Sequence, residues 1–431
     1  MMILVKTLLK MVVIFCHAEI LSEASMRPAT FDASARKPQH PMKGIKTGRL
    51  YSLKKRPTLL YNMTVSDHEN KPLRSGFTTG ACAAAATKAA LQTLLTAKSP
   101  SEVEIALPSG RRVSFPVKFI SCTNTSAICA VTKDAGDDPD ITNGLDILSR
   151  VSLDAQAPFG DVQFMAGQGV GRIAIRGHEL PLGEAAINPV PRQMIRHAVI
   201  EVLTESETRC GVSVTISVPG GEDIARRTLN PRLGIEGGIS ILGTSGIVVP
   251  YSEEAYLDSI RQSIQIAMKN GCSEIVLNSG SKSETFLKTE RADLPELAFV
   301  HYGNWIGRAL EFAKEELLCK QISVGVMLAK ATKLAAGNLE TSSRQVSVDR
   351  RFIADLAKRA GYASGLCEQI AELKLVRGIT ELIPFGKDEP FYQVLAETCY
   401  EVCKKVVGEK PLVFYLISMS GELVKYEEKH A

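Results

Sequence analysis

The chain reads as an α+β domain followed by an α/β domain whose sheet is mostly parallel and covered by helices. Three observations predict this. An alanine-rich helical run, ACAAAATKAALQTLLTAK, precedes a series of short alternating apolar segments bounded by turn residues. After Gly238 the apolar segments ISILG, EIVLNSG, LAFVHYG and ISVGVML alternate with helical stretches, the pattern of a parallel sheet with crossovers. A length of 431 residues, 45% hydrophobic and 23% charged, suits two cores better than one.

Residues 1–71 stand apart. The first 72 residues carry 12 Lys or Arg against 5 Asp or Glu, and Pro28, Pro38, Pro41 and Pro57 punctuate a basic stretch with little periodicity. The apolar run from Met11 to Cys16 is too short to span a bilayer, and no A-x-A site follows it. This segment is expected to be a disordered extension, a transit or anchoring peptide, or the product of a misassigned start with Met63 as the true first residue. Residues 72–240 form the expected α+β domain. Thr78 or Thr79 caps its first helix, strands follow in EVEIALPSGRRVSFPVKFI, SAICAVT, VSLDA, GDVQFMAG, GRIAIRG and VSVTISV, and one helix runs near Pro191 to Thr204. Residues 241–431 form the expected α/β domain, with helices beginning near Ser252, Glu284, Asn304 and Leu328, another from Glu389 to Val407, and a closing strand PLVFYLIS.

Composition excludes several functions. With the first 72 residues set aside the chain is near neutral, so no basic face for nucleic acid is expected. Ten cysteines without a CxxC pair suit reduced thiols in a cytosol. Seven scattered histidines and no HExxH give no expectation of a protein-bound metal. A membrane role has no support either.

Four loops and one helix carry candidate chemistry. Gly243, Thr244, Ser245 and Gly246 form a small-residue loop where backbone amides can approach a ligand; the plainer reading is a tight turn. It is neither a P-loop nor a GxGxxG fingerprint. KDAGDDPDITNG gathers Asp134, Asp137, Asp138 and Asp140, which suit a base or the binding of a polar substrate, and equally an Asx-rich turn. INPVPR and LNPRLGIEGG hold Arg192 and Arg232, whose planar forks suit carboxylates. Lys330 and Lys333 lie one turn apart, on either a solvated face or a binding face. Cys82 reads as a small buried residue rather than a nucleophile.

Taken together, LRSGFTTGACAAAA, KDAGDDPDITNG, GVGRIAI, INPVPRQMI, NPRLGIEGGISILGTSGIVVPYSEEA, GNWIG and KATKLAAGNLETSS resemble the cobalt-precorrin-5B C(1)-methyltransferase family of the anaerobic cobalamin pathway. The resemblance implies a cytoplasmic enzyme that methylates carbon 1 of cobalt-precorrin-5B, an anionic tetrapyrrole, from S-adenosylmethionine to give cobalt-precorrin-6A. The cobalt then belongs to the substrate. It further implies Asp134, Asp137 and Asp138 as base or ring-orienting groups. Arg74, Arg192, Arg232 and the helix start at Thr78 and Thr79 become partners of acetate and propionate groups. Gly243 to Gly246, with Gly303 and Asn304, would hold the methyl donor. A homo-oligomer is left open. The chain departs from the family pattern at Gly280-Ser281-Lys282-Ser283, where relatives tend to have Gly-Asn-Tyr-Gly, at Thr341-Ser342-Ser343, where they tend to have Thr-His-Ser, and at Ser347-Val348-Asp349-Arg350. Those departures keep one rival in view, a non-catalytic tetrapyrrole-binding scaffold; a second, a precorrin reductase, stands because an α/β domain alone does not specify chemistry.

Overall fold

Small side chains set the first core. A computed structural model of the chain describes residues 73–343 and 345–428, so the expectations for residues 1–71 lie outside the described residues. Strand β1 (Gly76–Phe77) leads into helix α1 (Thr79–Thr96), and the Thr78 hydroxyl caps the helix by accepting from the Ala81 N–H at 3.2 Å. Ala81, Ala83 to Ala86, Ala89 and Ala90 are fully buried. Alanine is the best helix former, and its short side chain lets neighbours approach closely. At Gly80 a Cβ would come within 2.6 Å of the Pro191 ring.

Around α1 lie the hairpin β2 (Glu102–Ala106) and β3 (Arg112–Pro116), then β4 (Lys118–Cys122), β5 (Ala127–Thr132), β6 (Asp146–Asp154) and β7 (Val162–Ala166). The short pieces β8 (Gly169–Val170) and β9 (Arg172–Ile173), helix α2 (Pro189–Glu205) and β10 (Gly211–Ser217) follow. Five strands make a sheet in the order β4-β5-β6-β10-β7, antiparallel except for the β10–β7 pair. Helix α1 packs on β5 and β6 and against α2. Val212, Val214 and Ile216 of β10 are buried while the alternate Ser213, Thr215 and Ser217 are half-buried, as the period of a strand requires. GRIAIRG, expected as a full strand, contributes only Arg172–Ile173.

Next come helix α3 (Gly221–Ala225), β11 (Ile235–Glu236), β12 (Gly238–Ile239) and β13 (Ile247–Val248). ISILG was expected to open the parallel sheet, and it does not. Its first residue pairs through β12 with β8, Ile241 bridges Ile187, and β13 pairs with β1. A short apolar run fits either sheet by periodicity alone. The deciding contact is backbone on backbone: a Cβ at Gly238 would fall 2.2 Å from the Gly169 backbone, so two glycines permit the β8–β12 pairing.

The later elements are α4 (Glu253–Lys269), β14 (Glu274–Asn278), α5 (Ser281–Glu290), β15 (Phe299–His301), α6 (Ile306–Glu315), β16 (Gln321–Met327) and α7 (Leu328–Ala335). After them come α8 (Arg350–Arg359), α9 (Ser364–Glu372), α10 (Ile379–Leu382), α11 (Pro390–Val407), β17 (Leu412–Ile417) and β18 (Leu423–Glu427). Their sheet runs β15-β14-β16-β17-β18, parallel but for the edge strand β18. Strands β14, β16 and β17 are near-continuous apolar runs because helices cover the sheet. From β14 the chain goes first to β15 on one side, then to β16 on the other. The strand order therefore reverses between β14 and β16, and in open α/β sheets ligands bind outside the carboxyl ends of the strands at such a point.

The helix α5 covers one face of this sheet at the reversal. A Cβ at Gly325 would meet Leu287 of α5 at 2.3 Å, so the Gly325 position faces α5. Asn278 is the register partner of both Gly325 and His301, so these positions share that face. The described residues thus form a mixed α/β fold with sheets of mixed orientation. Leu416 is fully buried in β17. Leu416→Ala is expected to lower unfolding stability by about 2–5 kcal/mol, read as a lower denaturant midpoint with an unchanged m-value.

Candidate functional site

The first cluster forms at the start of α1. Arg74 grips Asp134 with a two-pronged fork, 2.6 and 2.8 Å, and its backbone N–H donates to Asp137 at 2.7 Å. Asp138 accepts from the Tyr251 N–H at 2.9 Å. Backbone bonds Phe77 N–H to Asp134 O and Thr78 N–H to Gly246 O close the loops onto the helix start. Thr79 exchanges hydrogen bonds with the backbone of Leu242, and a Cβ at Gly243, where φ is +129°, would sit 2.4 Å from Thr78. Arg74, Thr78, Thr79, Asp134, Asp137, Asp138 and the Gly243–Gly246 loop, scattered in sequence, are brought together. Thr244 and Ser245 are the exposed tip of that loop.

Of the three acids in this cluster, Asp134 is the one that meets a cation, Arg74. The hydrogen bond from Arg74, then that from the Gly136 N–H, holds the Asp134 carboxyl down at about 2. An acid that strong is a poor proton acceptor at neutral pH. Asp137 and Asp138 fasten backbone N–H groups, which suits loop shape more than proton transfer. No acidic residue lies in the first turn of α1, so its positive end is left uncompensated within the helix.

Arg192 and Arg232 stand elsewhere, each with a partner. Arg192 donates to Glu184 at 2.9 Å and to the carbonyls of Ile187 and Ala185, and its guanidinium lies over the Phe164 ring. Arg232 pairs with Glu284 of α5. These two were expected to bind substrate carboxylates; Arg192 directs Nε and one terminal nitrogen to protein groups, and Arg232 directs one terminal nitrogen to Glu284. Lys330 donates to the Gly303 carbonyl, and buried Lys333 donates to Thr341 O and Ser343 Oγ at 3.1 and 2.9 Å. Lys330 thus holds the loop containing Gly303 and Asn304, and Lys333 holds the Thr341–Ser343 segment, whose Thr341 N–H donates to the Asn304 carbonyl. Thr341 of the altered Thr341-Ser342-Ser343 segment thus has a structural part. Burial pushes the Cys82 thiol up to about 12, consistent with a core residue.

Gly303 and Asn304 belong to the carboxyl edge of the parallel sheet, whereas Gly243–Gly246 bonds to the start of α1. The two loops expected to hold one ligand have different hydrogen-bond partners, and the start of α4 touches both surroundings, Tyr251 N–H on Asp138 and Tyr256 against Gly303. At the sheet edge the structure adds side chains that sequence reasoning missed. Asn278 ends β14 fully buried, and neither its carboxamide oxygen nor its nitrogen has a hydrogen-bond partner among the described residues. The indole Nε1 of Trp305 is likewise buried and unpartnered, and its ring stacks at 4.8 Å on Tyr256. Ser283 Oγ accepts from the N–H groups of Ser279 and Gly280, fixing the turn into α5.

Glu284, one turn into α5, is the most connected of these groups. It pairs with Arg232, receives Lys288 Nζ at 3.0 Å and lies 2.7 Å from His301 Nε2. Burial pushes its carboxyl up, but the His301 hydrogen bond, the Arg232 and His301 charges and Lys288 outweigh that and hold it at about 2. No motif announced this cluster. The available signal was its position: His301 falls at the end of an apolar strand, and Glu284 lies in the helix after the preceding strand.

With that geometry in place, comparison with known proteins identifies the relatives. A CbiD family model matches residues 66–250, and a model of the CbiD C-terminal domain matches residues 340–428. A relative from Prosthecochloris aestuarii named cobalt-precorrin-5B C(1)-methyltransferase is 46% identical over 356 residues, 83% of this chain and 96% of its own. The chain belongs to the CbiD family. A protein of the same name from Geobacillus kaustophilus is 46% identical over 338 residues, 78% of this chain and 90% of that one. A crystal structure of a cobalamin biosynthesis protein (cbiD) from Archaeoglobus fulgidus is 28% identical, covers 59% of this chain and 77% of that one, and superposes with a TM-score of 0.34. In CbiD terms, the α1 cluster lies within the first family match, and Glu284 and His301 lie between the two.

Because Glu284 has its folded pKa depressed from 4.5 to about 2, its contribution to stability is complete above about pH 4.5 and is lost as the pH falls toward 2. Glu284→Gln is expected to lower stability at pH 7 by roughly 1–3 kcal/mol and to flatten the acid limb between pH 5 and 2. Urea melts across that range check both effects.

Proposed function

We propose that this chain transfers a methyl group from S-adenosylmethionine to carbon 1 of cobalt-precorrin-5B, giving cobalt-precorrin-6A in the anaerobic cobalamin pathway. The observation that carries this reading is the 46% identity over 96% of a relative named for that reaction. The cobalt is carried by the substrate. Among the described residues no helix is long and apolar enough to cross a membrane, and the reaction is proposed to take place in the cytoplasm. We further propose a two-lobe organisation, with residues 72–240 as the α+β lobe and 241–431 as the α/β lobe, the segment up to Val248 bonding back into the first.

The sheet edge at the strand reversal suits the methyl donor. The unpartnered Asn278 carboxamide and Trp305 indole N–H, the Tyr256–Trp305 ring pair, and the Gly303–Asn304 loop offer polar and aromatic groups for a nucleoside. When bound, the donor supplies a methyl group on a sulfonium, which a ring carbon can attack in line while a neutral thioether leaves. The work of the protein is then to position and to shield. The first turn of helix α1 carries no acid of its own, and Arg74 beside it, exposed although forked with Asp134, suits the carboxylates of the tetrapyrrole. Asp134 in this reading orients Arg74.

Calorimetric titration of the full chain with S-adenosylmethionine and S-adenosylhomocysteine, then incubation with cobalt-precorrin-5B and mass analysis, tests the reading. Saturable binding and one added methyl are expected; folded protein that binds neither compound would sink it, and binding without transfer would reassign the substrate. Arg74→Ala is expected to raise KM for the tetrapyrrole roughly tenfold while leaving donor affinity unchanged.

A further inference from the structure

Where the methylated ring sheds a proton a base must take it, and the hydrogen bonds of the α1 carboxylates suit that part poorly. When the ring carbon forms its bond to the methyl group, the electron pair of the broken bond stays on sulfur. The tetrapyrrole thereby gains one positive charge, which the loss of one N–H or C–H proton removes. Asp134 is held in a fork by Arg74, and Asp137 and Asp138 accept backbone N–H groups.

His301 has the geometry that those aspartates lack. It ends β15 at the carboxyl edge of the parallel sheet, in register with Asn278 at the strand reversal and two residues before Gly303. Its Nε2 lies 2.7 Å from Glu284, which is a carboxylate at neutral pH and can only accept, so Nε2 carries the hydrogen. In the neutral imidazole the lone pair is then on Nδ1, and the ring's hydrogen bond to Glu284 is made through Nε2. The side chain keeps about a fifth of its surface exposed (21%), while Glu284 behind it is 8% exposed and flanked by Arg232 and Lys288. A carboxylate that orients an imidazole and leaves the opposite nitrogen free is the arrangement by which proteins make histidine a general base. A purely structural ion pair between the Arg232 loop and α5 would need Glu284 and not the imidazole.

We propose that His301 is the general base of the methyl transfer, taking the released proton on Nδ1 while Glu284 orients its ring. This rests on the methyltransferase reading above. Transfer would proceed with C–C bond formation, departure of the thioether, and passage of one proton from the tetrapyrrole to His301 and then to solvent.

The test is single-turnover methylation of cobalt-precorrin-5B by the full chain and by its His301→Ala and His301→Gln forms, with donor affinity measured in parallel by calorimetry. Both variants are expected to bind S-adenosylmethionine within about twofold of the parent and to transfer methyl roughly a hundredfold more slowly. Added imidazole is expected to restore the rate of His301→Ala several-fold and to leave His301→Gln, whose pocket is filled, unchanged. Transfer by either variant at close to the parental rate overturns the proposal, as does a slow His301→Ala form that imidazole does not restore. An inactive parent chain would remove the methyltransferase reading itself, whereas an active parent with equally active variants removes only the role of His301.

Discussion

One buried carboxylate ties the Arg232 loop to the parallel sheet. Glu284 lies under α5 at 8% exposure, where a lone negative charge would be expensive to desolvate. It is tolerable because three cationic or hydrogen-bonding groups converge on it: Arg232 from the loop before β11, Lys288 one turn along α5, and His301 from the end of β15. The same bonds that stabilise the charge therefore set where the Arg232 loop meets the parallel sheet. Removing any one of them leaves the others facing an undercompensated ion, so the cluster has to assemble as a unit.

A second constraint is close approach, and it works through the absence of side chains. The alanines of α1 and Gly80 bring the helix against α2, and Gly169 and Gly238 let two short strands run backbone to backbone. Gly243 at φ +129° wraps over Thr78. Together these contacts place the Asp134–Asp138 loop and the Gly243–Gly246 loop at one helix end. The cluster is thus a consequence of packing, with Arg74 and Asp134 matching charge inside a shape that small residues have already determined.

Much of the fold was legible because its periodicities are strong. The burial alternation of β10 and the apolar runs of β14, β16 and β17 correspond to VSVTISV, EIVLN, ISVGVM and LVFYLI, and Thr78 stands where a cap was expected. ISILG misled because five apolar or small residues carry no sign of which sheet they join, and the sign lay instead in Gly169, seventy residues earlier. The α1 cluster was legible as residues but not as a division of labour. Gly243–Gly246 and Gly303–Asn304 look alike as strand-end glycine loops, yet long-range hydrogen bonds send one to Thr78 and the other to Lys330 and Thr341. Glu284 and His301 were illegible for a simpler reason. A lone Glu in a helix and a lone His at a strand end are ordinary residues, and only the register of β14 with β15 makes them neighbours.

The same register sets the polar groups of the sheet edge apart from those at α1. A group that moves a proton near neutral pH must be oriented yet left with one open valence. At α1 each acid has a partner: a guanidinium on Asp134, and a main-chain N–H on one oxygen of Asp137 and of Asp138. At the sheet edge the polar groups are arranged the other way. Asn278 and Trp305 hold polar atoms without partners, and His301 is tethered through one nitrogen only. A region that keeps such atoms unsatisfied bears a cost in stability that a bound ligand would relieve. Helix α5 supplies the carboxylate that orients the histidine, and the first turn of α1 carries no acid of its own. In the proposed reaction the tetrapyrrole therefore has to reach from the start of α1 to the edge of the parallel sheet, because a proton passes only between groups in contact.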